Sequence, residues 1–388
     1  MIKRQVIFAM TLVAVPATSL TAAEWVFDVA ANPTFGYNDN VFLQEKEDDS
    51  FNFLIKPTVS LSRRVENMTS TASIGYSVER YFSKSSIDST NPFAEFDSSY
   101  QLERMTFGLK AAYKEDSSRN EALEDNGDFT SSDELRRRSI APSFGYQLSE
   151  IDSLTASSQF SETEYSSPTS SDNETKSLTL GWQRQFTERF SGGLRGTVSN
   201  FKLDGPTSSS DDDNYNISVT TNYQLSEVWA VNGSVGYRRL NSTRRDLLGN
   251  MTDTSSTGSS YEFSSQYADG KNNYSVDLSK QLSPSSSGEV NEQERIGGSW
   301  SRQLSERLSS NMTISYQETD SASGDDQSKR KNLDFSPSLQ WRLSSNMSLD
   351  FKYGYRQQKV SGSSGKDVDS NSFSVNVNYD WDGIRVSR

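Results

Sequence analysis

Apolar residues recur at every second position along most of this chain. Ile140, Pro142, Phe144 and Tyr146 stand on one face of their run, and Ser139, Ala141, Ser143, Gly145 and Gln147 on the other. Leu178, Leu180, Trp182 and Arg184 alternate in the same way with Ser177, Thr179, Gly181, Gln183 and Gln185. So do Leu333, Phe335, Pro337, Leu339 and Trp341 with Asp334, Ser336, Ser338, Gln340 and Arg342. Strict alternation predicts strands with one apolar and one polar face. Each run holds about ten residues, the length of a tilted membrane-crossing strand.

A short phrase punctuates these runs. "YQLSE" occurs at Tyr146–Glu150 and again at Tyr223–Glu227, with relatives "YQLER" (Tyr100–Arg104), "RQFTE" (Arg184–Glu188), "RQLSE" (Arg302–Glu306) and "WRLSS" (Trp341–Ser345). Its outward apolar residues are Leu102, Leu148, Phe186, Leu225, Leu304 and Leu343. Arg63 and Tyr267 complete the series, at intervals of 39, 46, 38, 39, 42, 37 and 39 residues. A second alternating run follows each phrase within a few residues, as in Met347, Leu349, Phe351, Tyr353 and Tyr355. "NMT" or "NMS" opens three such returns, at Asn67, Asn311 and Asn346. The repeat is therefore one hairpin. Polar stretches rich in Ser, Asp, Gly and Asn join successive hairpins: Asp116–Asp133, Asp204–Asn214, Ser321–Ser328 and Ser361–Asp369.

Tight turns on one side and long loops on the other predict an all-β, up-and-down antiparallel transmembrane β-barrel with short periplasmic turns and long extracellular loops. Eight short turns, a first strand climbing from Trp25 and a last descending through Phe373 to Trp381 give 18 strands. The closing run "FSVNVNYDW" stops seven residues before the terminus, where barrels of this kind end on an aromatic residue. Tyr100, Tyr146, Trp182, Tyr223, Trp300 and Trp341 are expected to form the membrane-interface girdle, their polar tips reaching water. Arg184 and Arg302 share that register and can extend to the interface. Pro57, Pro142 and Pro337, each six residues before its anchor, are expected at bulges, because proline cannot donate to a ladder.

Composition supports a chain whose only extensive apolar surface faces lipid. Hydrophobic residues are 32% of 388, yet aromatics reach 11%, with 17 Tyr and 20 Phe, too many for a disordered chain. A basic start at Lys3 and Arg4, the apolar run Val6–Val15, Pro16 and the small residues before Ala23 predict a signal peptide over 1–23, cleaved near Ala23. Its apolar core is too short for a spanning anchor, and the absence of Cys excludes a lipoprotein. Residues 24–388 then form a single barrel domain, of net charge −15 once the two basic leader residues are gone. With no Cys and no His, the chain has no disulfides, no Ser-His-Asp or Cys-His catalysis, and no His-ligated zinc or haem. No catalytic residue, metal site or cofactor is nominated, and the acidic balance argues against nucleic acid.

The polar face supplies the candidates for specificity. Register places Lys110, Lys114, Arg195, Arg238, Arg295, Lys352 and Arg356 inward, facing Glu79, Glu95, Asp97, Asp277, Asp334 and Asp350. Such a mixture can orient a polar solute, and a wide polar lumen also needs solvated, paired charges whatever its cargo. The acidic runs Glu45–Asp49 and Ser210–Asn214 have no EF-hand spacing and are read as solvated loops. Arg136–Arg138 and Lys329–Lys331, near loop bases, can pair with lipid headgroups or with those loops.

The segments "NPTFGYNDNVF" (Asn32–Phe42), "DSFNFLIKPTVSLSRR" (Asp49–Arg64) and "IGYSVERYF" (Ile74–Phe82) resemble the opening of a family of proteobacterial outer-membrane barrels, the porin-like proteins associated with exopolysaccharide biosynthesis loci. The resemblance covers about sixty residues. It implies a barrel of eighteen strands, a role as the outer-membrane conduit of a secreted polysaccharide, and work beside a periplasmic polysaccharide export protein. It carries over no catalytic motif. Two other readings stay open: a diffusion porin for small hydrophilic solutes, narrowed by an inward-folded loop at Asp116–Asp133, and a non-transporting surface scaffold with acidic loops.

Overall fold

The structure, a computed structural model, describes residues 23–122, 129, 133–322, 329–361, 365–379, 381 and 383–387. Apart from Ala23, the expected leader lies outside them. Strand β1 is written in two pieces, Glu24–Ala30 and Thr34–Asn38, and β2 likewise in Ser50–Ile55 and Thr58–Val65. Then come β3 (Met68–Tyr81), β4 (Ser89–Gln101), β5 (Met105–Ser117), β6 (Glu134–Gln147), β7 (Asp152–Tyr165), β8 (Asp172–Thr187) and β9 (Phe190–Asp204). The longest follow: β10 (Ser208–Ser226), β11 (Trp229–Asp246) and β12 (Met251–Ala268). The wall continues through β13 (Asn272–Pro284), β14 (Val290–Gln303), β15 (Leu308–Ser321), β16 (Arg330–Arg342) and β17 (Met347–Val360) to β18, in pieces Lys366–Tyr379 and Ile384–Ser387.

Each strand pairs antiparallel with its neighbours, and both pieces of β18 pair with β1, so the eighteen strands close on themselves. Closure removes the free edges that an open sheet of this size would expose. The strand does not stop at Trp381, as the sequence suggested. It resumes at Ile384 after register against β1 advances by one residue, next to Gly383 at φ +64°. The breaks in β1, at 31–33, and in β2, at 56–57, keep their register. Pro57 thus interrupts a strand without a bulge; its carbonyl accepts the Tyr76 N–H at 3.2 Å. At Pro142 and Pro337 the ladder loses bridges on one side only and resumes in the same register. The bulges instead sit at the turns, at Gln185–Thr187 and Gln224–Ser226.

The repeated phrase closes these turns with its own side chains. Gln147, Gln185 and Gln224 each donate their side-chain amide, at 2.6 Å, to the carbonyl two residues on, at Ser149, Thr187 and Ser226. The hydroxyls of Ser149 and Thr187 in turn accept the next free N–H groups, from Ile151 and Asp152 and from Arg189 and Phe190. These are the local side-chain bonds that make Ser and Thr turn formers. The same glutamines tie each turn to the one before: the N–H groups of Gln101, Gln147, Gln185, Gln224 and Gln303 donate to the carbonyls of Asn67, Arg104, Ile151, Arg189 and Lys271 at 2.8–3.0 Å. One return strand starts earlier than "NMT" suggested, since β15 begins at Leu308, before Asn311.

The opposite ends of the strands differ from expectation. Asp204–Asn214 is not a loop: only 205–207 turn, and Ser210–Asn214 lies inside β10. The hairpins β9–β10 and β11–β12 run on as a paired sheet well past the apolar belt. Alternating Ser, Thr and Asn on those extensions reads as loop composition, yet continuous backbone pairing with the neighbouring strand keeps them extended. Likewise Ser321 belongs to β15 and Lys366 to β18, so the loops expected at Ser321–Ser328 and Ser361–Asp369 are shorter than their composition suggests.

Candidate functional site

The polar face is the concave one. Arg195 on β9 and Glu262 on β12, three strands away, pair at 3.2 Å, and Asn216 on β10 bonds Ser260 on β12 at 2.7 Å. Adjacent strands lie about 4.8 Å apart, so such contacts form only where curvature brings side chains together. The convex face carries the apolar residues. Ile74, Ile217 and Val235 are each more than 60% exposed, which suits a wall facing lipid.

At the long-loop end, part of the connection between β5 and β6 turns onto the concave side. A single helical turn, α1 (Ser118–Glu121), starts at Ser117, whose hydroxyl accepts the Asn120 N–H at 3.3 Å. Its base is fastened by Ser118 N–H to the Asp133 carbonyl at 2.8 Å. Glu121, only 8% exposed, takes Lys114 at 2.6 Å and Arg137 at 2.9 Å. Arg119, 7% exposed, donates to the Tyr81 hydroxyl at 2.6 Å, lies over that ring at 4.8 Å and stands 3.9 Å from Glu79. Tyr81 in turn donates to Glu79 at 2.6 Å. The segment thereby joins β5 and β6 to β3. Further on, Ala122 and Phe129 are buried with Leu43 of the β1–β2 connection and Val368 of β18, and the Arg356 guanidinium caps the Phe129 ring at 5.0 Å. Arg356 is held by Asp334 at 2.6 Å. Most of the remaining residues of Asp116–Asp133 lie outside the described residues.

Burial and charge set the ionisation here. Tyr81 is held well above its ordinary value, chiefly by desolvation and then by the Glu79 carboxylate. Burial raises the Asp116 carboxyl, but bonds from Lys114, Asn120 and the Ser117 N–H outweigh it and leave the group below its ordinary value. Burial lowers Lys114, and its bonds to Asp116 and Glu121 reverse that.

A second element covers the mouth from the other side. Strands β12 and β13 pair only up to Tyr261 and Lys280; beyond that, β12 stays with β11 while the β13–β14 hairpin parts from β12, still paired with β15 through β14. Its formerly convex face then packs under the extended sheet: Leu282 and Val290 meet Phe201, Leu203 and Leu240. Arg238 is buried in an ion pair with Glu292, which also takes Lys280 at 2.5 Å. The hairpin tip reaches the β7–β8 turn, where Ser171 N–H donates to the Ser286 carbonyl at 2.7 Å.

All thirteen nominated ionisable residues fall in the concave register, but they do not form one site. Lys114, Glu79, Arg356 and Asp334 hold the β5–β6 segment or its surroundings. Lys110 pairs with Asp97 at 3.5 Å in the open. Arg195 finds Glu262, and Asp277 lies where a side chain at Gly297 would clash, 2.5 Å from its Cβ. Among the described residues no ion pair involves Glu95, Arg295 or Lys352, and one oxygen of Asp350 is buried without a partner. Arg238 departs most from a solvated lumen cation. Alternation alone could not find Glu292 and Lys280, because it puts them with Ile296 on the lipid side; only the hairpin's departure from β12 brings them in. Arg119 and Glu121 lay in Asp116–Asp133, the stretch expected under the porin reading to fold inward, but neither side chain was singled out there.

The six nominated aromatics stand in the convex register near the short turns. There Tyr100 meets Phe107 at 6.5 Å, Phe190 meets Tyr223 at 6.1 Å, and Tyr267 meets Tyr274 at 6.0 Å. Trp300 does not fit the expectation of a wetted tip: its indole N–H is buried without a partner, whereas that of Trp229 donates to Ser265 at 2.9 Å. Arg184 reaches Asp152 at 3.7 Å. No group of three or more acidic side chains among the described residues is arranged to hold a metal ion.

A closed antiparallel barrel, apolar outside and polar inside, with short turns at one end, defines an outer-membrane β-barrel protein. Residues 177–380 match the outer membrane protein beta-barrel domain family, and the chain belongs to it. Among solved structures of similar fold is the siderophore receptor PiuA from Acinetobacter baumannii, at 10% identity and TM-score 0.49, over 90% of this chain and 69% of that one. Another is the ferric-catecholate import receptor Fiu from E. coli K12, at 9% and 0.48, over 91% and 82%. A third is OccAB1 from Acinetobacter baumannii, at 7% and 0.47, over 94% and 96%. No curated protein matches the sequence.

Proposed function

We propose that the chain is a passive outer-membrane pore for hydrophilic solutes whose outer mouth is narrowed from two sides. The observation that carries this reading is the inward-folded β5–β6 segment, with Arg119 buried against β3 and Glu121 against β5 and β6 on the concave wall. Ions and solutes pass such a lumen along its hydroxyls, amides and open charges, Lys110, Arg195, Arg295, Lys352, Glu95 and Asp97 among them, and weak contacts at many sites let them leave again. The girdle residues anchor the barrel in the bilayer, and residues 1–23 are removed before insertion.

A second reading, the outlet of an exopolysaccharide working with a periplasmic export protein, draws support from the resemblance of residues 32–82 and from the hydroxyl- and amide-rich lining. One pair of measurements separates them. Vesicles carrying the pure protein should swell in small sugars if it is a porin. A strain lacking the protein should then keep its extracellular polysaccharide. Polymer loss with vesicles that admit no sugar would overturn the porin reading in favour of export.

A further inference from the structure

At the short-turn end, a cavity of about 300 Å³ lies against the concave side of β13–β16. That volume stands at the lower edge of the roughly 300–1,000 Å³ usual for small-ligand sites. Three cations from the turns and the concave register line it, Lys271, Arg307 and Arg342, against one carboxylate, Glu306; Arg302 borders it from the convex register of Trp300, its charge acting on Asp269. This is a local excess of positive charge in a chain of net charge −13. Among the described residues no carboxylate forms an ion pair with any of the three, whereas cations of the outer half, such as Arg137, Arg238 and Lys280, are paired.

The turn chemistry explains why they converge. Gln303 N–H donates to the Lys271 carbonyl at 3.0 Å, and Arg342 N–H to the Arg307 carbonyl at 2.7 Å, so three successive hairpins are fastened side by side. The polar lining between them, including Asn311 and Gln340, stands in the concave register, which opens the cavity to the lumen rather than to lipid. Unpaired guanidinium groups offer forked donors that match carboxylate and phosphate oxygens. A pocket lined by one sign of charge also concentrates counter-ions.

We infer that this cavity is an oxyanion site at the periplasmic rim of the barrel, taking the carboxylate or phosphate group of a small hydroxylated solute. The site needs no conduction, so its test does not depend on the pore reading. Detergent-solubilised full-length protein is titrated with inorganic phosphate, followed by phosphorus NMR line width, and separately with glucuronate, followed by saturation transfer, with glucose as the neutral control. Saturable binding of at least one anion and none of glucose is expected. Arg307→Gln with Arg342→Gln should weaken it about tenfold, a loss of about 1.4 kcal/mol. Arg104→Gln with Arg189→Gln removes the same charge from turns outside the cavity and should leave binding within about twofold. Absence of saturation by either anion with the wild-type protein would overturn the site, and so would equal weakening by the two pairs. The heat-dependent gel shift of folded barrels confirms that each variant is intact.

Discussion

At the scale of the residue, the phrase that recurs along the chain is a turn with built-in partners. Gln147 and Ser149 satisfy backbone groups that the reversal of the chain would otherwise leave to water. Gln147→Ala or Ser149→Ala should each cost ~1 kcal/mol, read as a shift in the urea midpoint of unfolding from micelles, whereas Glu150→Ala, fully outside this network, should cost nothing measurable. The repeat announced the turns in the sequence because the same residues recur at the same offset. The direction of each bond was hidden, since a Gln two residues before a Ser has many other partners available. A similar close fit governs Gly75, where an added Cβ would stand 2.4 Å from the Pro57 carbonyl and 2.6 Å from the Phe93 ring. The gap in β2 is accommodated by the absence of a side chain opposite it.

At the scale of the element, charges hold the inward β5–β6 segment to the wall, while the β13–β14 hairpin, laddered to β15, is held across its gap from β12 by the Arg238–Glu292–Lys280 charges and its apolar contacts. Arg119→Ala should free the first and raise single-channel conductance in planar bilayers, with unchanged resistance of the wall to urea. Its pH response in acid and in base follows from Asp116 and Lys114. Asp116 is held below its ordinary value, so its contribution is present above about pH 4 and is lost as pH falls through the depressed value. Lys114 is raised, so its contribution is complete below about pH 10.4 and is lost above. Conductance should therefore stay level between about pH 5 and 9 and rise in acid. A transition centred near pH 6.5 would contradict this account, as the chain has no His.

The hairpin admits a different test. A Cβ built on Gly288 lies 3.7 Å from Ser171 Cβ, within the ~3.5–4.5 Å span of a disulfide. Ser171→Cys with Gly288→Cys should cross-link on mild oxidation in this cysteine-free background, slowly because Gly288 sits at φ +83°. If the tip rests against the β7–β8 turn as described, oxidation should leave conductance unchanged; a fall on oxidation would mean that it normally stands away. Neither element was legible from alternation. Period-two patterning assigns faces relative to a continuous wall, and it fails where a hairpin parts from its neighbour and shows its lipid-type face to other strands' lumen faces, as Leu282 and Val290 do to the cluster of Phe201, Leu203 and Leu240.

At the scale of the molecule, the fold was nearly all legible. One apolar and one polar residue in turn, for about ten residues at a time, leaves a closed barrel as the only arrangement that satisfies every backbone group in lipid. The convex assignment can be tested directly: Val235→Lys should cost roughly 2–4 kcal/mol and its concave neighbour Ser234→Lys far less, measured by unfolding from lipid vesicles. Equal costs would sink the assignment. What the alternation did not reveal is where the wall is thin. Strands β12 and β13 share eight residue pairs, fewer than the nine by which β1 and β18 close the barrel, whereas β10 and β11 share eighteen. A hoop pulled outward parts at its weakest section, so this one should open where the long-sheeted sector ends, between β12 and β13. The sector from β9 to β12 should then be the last to let go.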